Sequence, residues 1–145
     1  MKLYVMRHGT SIWNEQGKTQ GRSNNRLSEN GKKIVQNTAE QYKNIKFDIM
    51  FCSPIMRAVQ SANILNKTFK VKKIKDSRLT ELDQGIFTGK IYDKLSPLEI
   101  CDFERPYQEY VMSSWVYQEL PPSYKILDVR EGELPAGVIP TSGNC

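Results

Sequence analysis

Histidine is nearly missing from this chain: the 145 residues include one, His8. That scarcity argues against a zinc site built on imidazole ligands. Cysteine is also sparse, and the three residues, Cys52, Cys101 and Cys145, are odd in number and far apart. Neither a disulfide framework nor a C-x-x-C metal knuckle is suggested, so they read as free thiols, and no metal or cofactor is expected. Long apolar runs are absent too. Stretches such as Ile49 to Cys52 are far too short to cross a bilayer, and the first six residues lack a secretory h-region and cleavage site. The expectation is a cytoplasmic protein with no membrane partner. The formal net charge of +5 is spread along the chain apart from a short run at Lys70, Lys72, Lys73 and Lys75. That run reads as a solvated face. With no RNP aromatic pair, zinc-finger spacing or helix-turn-helix signature, nucleic acid is not an expected partner. A positive field equally helps to attract a small anion.

What is present is an alternation of short apolar runs and helical periodicity. The length suits one core and one domain over 1–145. Leu3, Tyr4, Val5 and Met6 form an apolar run that stops at Arg7, His8 and Gly9, as in a buried strand with chemistry at its carboxyl end. Thr10 to Arg26 is a loop with one helical turn around Ile12 to Glu15. Ser28 caps a helix whose Ile34, Val35, Ala39 and Tyr42 recur at helical spacing to about Lys43. A second strand, Phe47 to Cys52, ends at Ser53 and Pro54. Pro54 sits in the first turn of the next helix, which carries Arg57, Ala58, Val59, Ala62, Ile64 and Leu65. Val71 to Ile74 is a third strand. Leu79 leads into a loop bearing Glu81, Asp83 and Gly85 that Gly89 closes, and a last helix runs from Pro97 to about Met112. Strands alternating with helices predict an α/β fold, a mainly parallel sheet with helices on both faces. Ligands of such sheets collect outside the carboxyl ends of the strands, where Arg7, His8 and Arg57 all fall.

These residues carry a family resemblance. Arg7, His8 and Gly9 after a strand, followed by Asn14, Gln20, Gly21, Leu27 and Gly31, resemble the histidine phosphatase superfamily, the phosphoglycerate mutase-like family. Ser53, Pro54, Arg57, Ala58, Gln60, Ser61 and Ala62 are similar to its second signature, and Glu81, Leu82, Asp83, Gln84 and Gly85 to its third. The match covers roughly residues 1–95. A lone histidine behind a strand is ordinarily structural, and an acid such as Glu81 ordinarily a solvated loop residue. Three motifs in order reverse both readings. Trp13, Trp115, Tyr107 and Tyr110 read as packing residues.

The resemblance implies a phosphohistidine enzyme with His8 as nucleophile, and the chemistry agrees with the residue types. A phosphomonoester dianion needs several fixed donors to replace its water. Arg7 and Arg57 supply guanidinium forks; Asn14 and the backbone amides near Gln20 and Gly21 add neutral donors. The nucleophile must be an unprotonated ring nitrogen, which flanking arginines favour, with the other nitrogen held by an acceptor such as a backbone carbonyl. Glu81 is the candidate general acid for the leaving oxygen; Asp83 lies close in sequence. The implied partner is a small phosphorylated metabolite or inorganic phosphate, bound by a monomer or homodimer.

The family pattern also implies a second active-site histidine followed by glycine, and this chain has none. Val138 to Asn144 resembles the end of the family's last strand, with Ser142 in place of that histidine as a phosphate-binding hydroxyl. Residues 113–145, with Pro121, Pro122, Pro135 and Pro140, read as a short or incomplete, irregular tail holding at most one short strand. Two function classes follow: a phosphatase, possible slowness included, or a degenerate or truncated relative that binds phosphorylated ligands without turnover. Mutase activity ranks below phosphatase, because the long insertions typical of the family's mutases have no room after the third motif.

Overall fold

A computed structural model describes residues 2–113 and 125–127, with side chains over residues 2–106. Its elements run β1 (Tyr4–Met6), α1 (Ile12–Glu15), α2 (Glu29–Gln41), β2 (Ile49–Cys52), α3 (Met56–Phe69), β3 (Lys72–Lys75), α4 (Pro97–Ser113) and β4 (Lys125–Leu127). The described residues form two compact units, Arg7–Leu95 and a second that combines β1 with the chain from Ser96 onward. Both of their strand pairs are parallel, as alternating strands and helices predict.

In the Arg7–Leu95 unit the core lies where α2 meets α3. Ser28 begins α2 as expected: its hydroxyl accepts the Gly31 N–H at 3.0 Å. Val35, Thr38 and Ala39 follow at helical spacing and are buried, Val35 completely. Gly31 is demanded by contact, since a Cβ there would stand 1.9 Å from the Thr10 carbonyl oxygen. The loop that carries Thr10 is therefore pressed onto the start of α2. It is tied down further by Ser28 N–H to Thr10 O and Ile12 N–H to Arg26 O, both 3.0 Å.

β2, α3 and β3 make a β-α-β unit with Ile49 opposite Lys72 and Cys52 opposite Lys75. Ile55 is the N-cap of α3, so Pro54 precedes the helix instead of occupying its first turn. The buried face of α3 holds Arg57, Ser61 and Ala62, two polar residues among three, and this face builds the site. At its other end Lys70 takes a left-handed conformation with φ 53°. The Asn66 side chain bonds both backbone groups of Val71, at 2.9 and 3.0 Å, and so turns the chain into β3. Phe47 packs against Phe69 with ring centroids 4.6 Å apart.

The strands are less enclosed than their composition predicts. Val5, expected within a buried strand, is half exposed, as are Ile49 and Phe51, while Cys52 points inward. Alternation along a strand sends Ile49 and Phe51 to one side and Met50 and Cys52 to the other. In the other unit, β1 pairs with β4 from Tyr4 opposite Lys125 to Met6 opposite Leu127. β4 lies within residues 113–145, where at most one short strand was expected; beyond Ser113, the rest of that stretch is outside the described residues. Ser96 and Glu99 form a reciprocal capping pair at the start of α4, where Pro97 was read as the beginning of a helix. Cys52 is a free, buried thiol, whereas Cys101 is disulfide-bonded, against the reading of all three cysteines as free. An odd count forbids complete pairing but permits a single bridge. Among the described residues no helix is long and apolar enough to cross a membrane.

Candidate active site

β1 leads directly into Arg7, His8 and Gly9, and the turn that follows leaves the His8 ring partly buried beside α3. Nδ1 lies 2.8 Å from the Gly9 carbonyl oxygen, and Nε2 lies 3.0 Å from Nε of Arg57. A carbonyl can only accept and a guanidinium can only donate, so one tautomer fits both contacts: Nδ1 carries the proton and Nε2 presents its lone pair. Burial is the largest influence on the ring and lowers its pKa below the ordinary 6.5. The Gly9 hydrogen bond opposes this by raising it. The charges of Arg57 and Arg7 lower it again, and that of Glu81 raises it. The net effect favours the neutral imidazole, with the Nε2 lone pair accepting the Arg57 Nε–H.

Arg57 is 1% exposed. Besides His8, it donates from Nη1 to the Ser23 carbonyl at 3.0 Å and from Nη2 to the Gly21 carbonyl at 2.8 Å. A guanidinium in the first turn of a helix gains nothing from the helix dipole. Its place is set by these three acceptors, two of which fix the loop of residues 20–25. Gly21 is required there on two counts: its φ is +46°, and a Cβ would stand 2.9 Å from the Gln84 backbone nitrogen. The same loop is joined to the third motif by Arg22, whose Nε donates to the Glu81 carbonyl at 3.1 Å. Glu81 is partly buried, and its Oε1 accepts the Leu82 N–H at 2.9 Å. Asp83 is exposed and accepts the Gly85 N–H, the work of a turn residue.

The remaining sequence-selected residues divide. Arg7 is exposed and lies near enough to His8 to act on its charge. Asn14 accepts the Ser11 backbone N–H on its Oδ1 and donates its own backbone N–H to Ser11 Oγ, both at 3.0 Å, closing a capping box on the short helix α1. Gln20 is buried, and its Oε1 accepts from Ser11 Oγ at 2.7 Å and from Asn25 Nδ2 at 2.9 Å. Both side-chain carbonyls thus shape the loop. Ser142, Trp115 and the rest of 128–145 lie outside the described residues.

Sequence reasoning passed over Ser11 and gave no separate role to Gln60 and Ser61, which it placed only within the second signature. Ser11 is fully buried between Asn14 and Gln20. Gln60 Oε1 accepts the Leu27 N–H at 2.8 Å. Ser61 accepts the Gly9 N–H at 3.0 Å. Beyond its place in the second signature, Ser61 stands four residues after Arg57, on the same face of α3, which was the signal for its role.

The profile of the histidine phosphatase superfamily (branch 1) matches residues 3–107. The chain belongs to this family. It is 30% identical over 109 residues to phosphoserine phosphatase 1 of Hydrogenobacter thermophilus, a match covering 75% of this chain and 52% of that protein. A probable phosphoglycerate mutase of Yersinia pestis is 29% identical over 99 residues, covering 68% and 46%. The chain therefore spans about half the length of the curated relatives it matches. Among solved structures, phosphoglycerate mutase from Bacillus anthracis superposes with a TM-score of 0.59 at 32% identity, covering 62% of this chain and 41% of that one. The α/β fold with parallel strands is thus phosphoglycerate mutase-like, and the relatives are phosphatases and mutases.

Proposed function

We propose that this histidine phosphatase superfamily member is a phosphatase that hydrolyses small phosphomonoesters through a phosphohistidine on Nε2 of His8. The observation that carries the reading is the His8 ring itself, held as the Nδ1–H tautomer with its Nε2 lone pair against Arg57. In the first displacement Nε2 attacks phosphorus and the bond to the ester oxygen breaks. The Arg57 Nε–H then passes from Nε2 to a phosphoryl oxygen, while the exposed Arg7 guanidinium takes another. Glu81, on the loop that Arg22 ties to Gly21, gives its proton to the leaving alkoxide. In the second displacement water attacks the phosphohistidine, Glu81 recovers a proton from that water, and inorganic phosphate leaves. Asn14 and Gln20 act here through their side-chain carbonyls, which hold Ser11 and Asn25 and so shape the loop beside Arg57. Hydrolysis asks only for water at the intermediate, whereas a mutase must also retain the substrate skeleton for rephosphorylation; this favours phosphatase.

A second reading is a binding protein without turnover, and one observation favours it: the chain has no histidine besides His8. The two separate in one experiment. Wild type and His8→Ala are assayed on a panel of phosphate esters, with mass detection of the phosphorylated chain during turnover. The expected result is a phosphohistidine on wild type and a loss of about a thousandfold or more in His8→Ala, with circular dichroism unchanged. Tight phosphate binding by a wild type that never becomes phosphorylated would support the binding protein instead.

A further inference from the structure

Four hydrogen bonds close a ring through His8. Its Nδ1–H donates to the Gly9 carbonyl at 2.8 Å, and the Gly9 N–H donates to Ser61 Oγ at 3.0 Å. The Ser61 hydroxyl donates to the Arg57 carbonyl at 2.8 Å, and Arg57 Nε–H returns to His8 Nε2 at 3.0 Å. A serine bonded to the carbonyl four residues earlier is ordinary in a helix. The unusual feature is what that bond does here: it spends the hydroxyl proton on Arg57 and leaves an oxygen lone pair facing Gly9, 52 residues away in sequence.

Ser61 is buried, and so is Gly9. A Cβ on Gly9 would stand 2.6 Å from Val35 Cγ2 and 2.7 Å from the Gly31 carbonyl oxygen, so the backbone at Gly9 is pressed against α2 and held from α3 by the Ser61 hydroxyl. Both contacts of the imidazole trace back to this residue. The Gly9 carbonyl selects the tautomer, and the backbone that carries Arg57 is fixed one turn before Ser61. Loss of the hydroxyl leaves a buried Gly9 N–H without its acceptor, and the Gly9 backbone is then free to rotate or admit water.

We propose that Ser61 is a positioning residue for His8, whose hydroxyl sets the Gly9 backbone and thereby the tautomer and direction of the nucleophilic ring. The proposal rests on the reading of His8 as nucleophile only for its kinetic consequence; the ring geometry can be read without turnover.

The test uses the fact that His8 is the only histidine. Isotope-labelled histidine gives one imidazole spectrum, free of overlap, in this 145-residue chain. Wild type and Ser61→Thr, which keeps the hydroxyl, are expected to show the Nδ1–H tautomer alone with Nε2 unprotonated above the ring's pKa. Ser61→Ala is expected to show mixed tautomers. On an aryl phosphate its kcat should fall about tenfold with KM changed less than about twofold, and Ser61→Thr should restore kcat. A folded Ser61→Ala with the wild-type tautomer overturns the proposal. If that variant does not fold, the wild type still decides, because mixed tautomers there, or a Gly9 amide that exchanges as fast as an exposed loop amide, overturn it equally. A single tautomer in a wild type that never forms phosphohistidine sinks the phosphatase reading while leaving the positioning role in place.

Discussion

His8 is kept neutral by its surroundings, and each contributor has a direction. Burial lowers the pKa most, the Gly9 carbonyl raises it, Arg57 and Arg7 lower it, and Glu81 raises it. Below the ordinary value of 6.5 the unfolded chain therefore takes up a proton on this ring before the folded one does. The stability this site contributes is complete above 6.5 and diminishes as the pH falls through the folded pKa. Under the proposed mechanism the consequence is that His8 stays available as nucleophile in mild acid. The acid limb of kcat/KM is expected below pH 6.5, falling about tenfold per pH unit under its midpoint. Arg7→Gln, which removes one of the lowering charges, should move that limb upward. A limb at or above 6.5 in wild type, or one that Arg7→Gln leaves in place, would show that His8 does not govern the profile.

At the scale of elements, α2 and α3 hold the site between them, and their packing tolerates little. Gly31 lies in the helix without backbone strain, so its requirement is spatial: a methyl group there meets the Thr10 carbonyl. Gly17 is the converse case, with φ +64° and nothing within 4 Å of an added Cβ. Gly31→Ala is expected to destabilise by about 3 kcal/mol, lowering Tm by about 10 °C, because the Thr10 backbone must move. Gly17→Ala should cost about 1 kcal/mol, the price of a left-handed alanine. Thermal melts of both variants check the ranking, and equal losses would place the Thr10 loop away from α2. These helices were legible in the sequence because their signals are local: Ser28 as a cap, then Val35 and Ala39 at helical spacing. β4 was not legible as a particular segment. Lys125, Ile126 and Leu127 have no strand pattern of their own, and their conformation follows from pairing with β1, more than a hundred residues earlier. The exposure of Val5 and Phe51 was hidden for a related reason, since an apolar strand reads the same whether one face or both are covered.

For the whole chain, His8 and the buried arginine were readable because they end the two strand-to-turn junctions and match two motifs. Their connection was not. Arg57 looked like a donor for a ligand, and its contacts to Gly21, Ser23 and His8 arise from folding a loop over a helix, which no local pattern encodes. Net charge, by contrast, is a property of the entire sequence and carries its own expectation. With a formal charge of +5 and a pI near 9.1, the chain presents a positive field to a phosphate dianion. Such a field raises the encounter rate and is screened once the Debye length shrinks to about 8 Å at physiological ionic strength. Raising potassium chloride from about 20 mM to about 200 mM should therefore lower kcat/KM for a phosphomonoester about threefold to tenfold, while kcat changes little. Potassium sulfate at the same ionic strength should depress kcat/KM further, because a tetrahedral dianion also competes for the donors around His8. If chloride leaves kcat/KM unchanged while sulfate alone inhibits, the charge of the chain plays no part in capture, and the donors immediately around His8 account for all of the anion recognition.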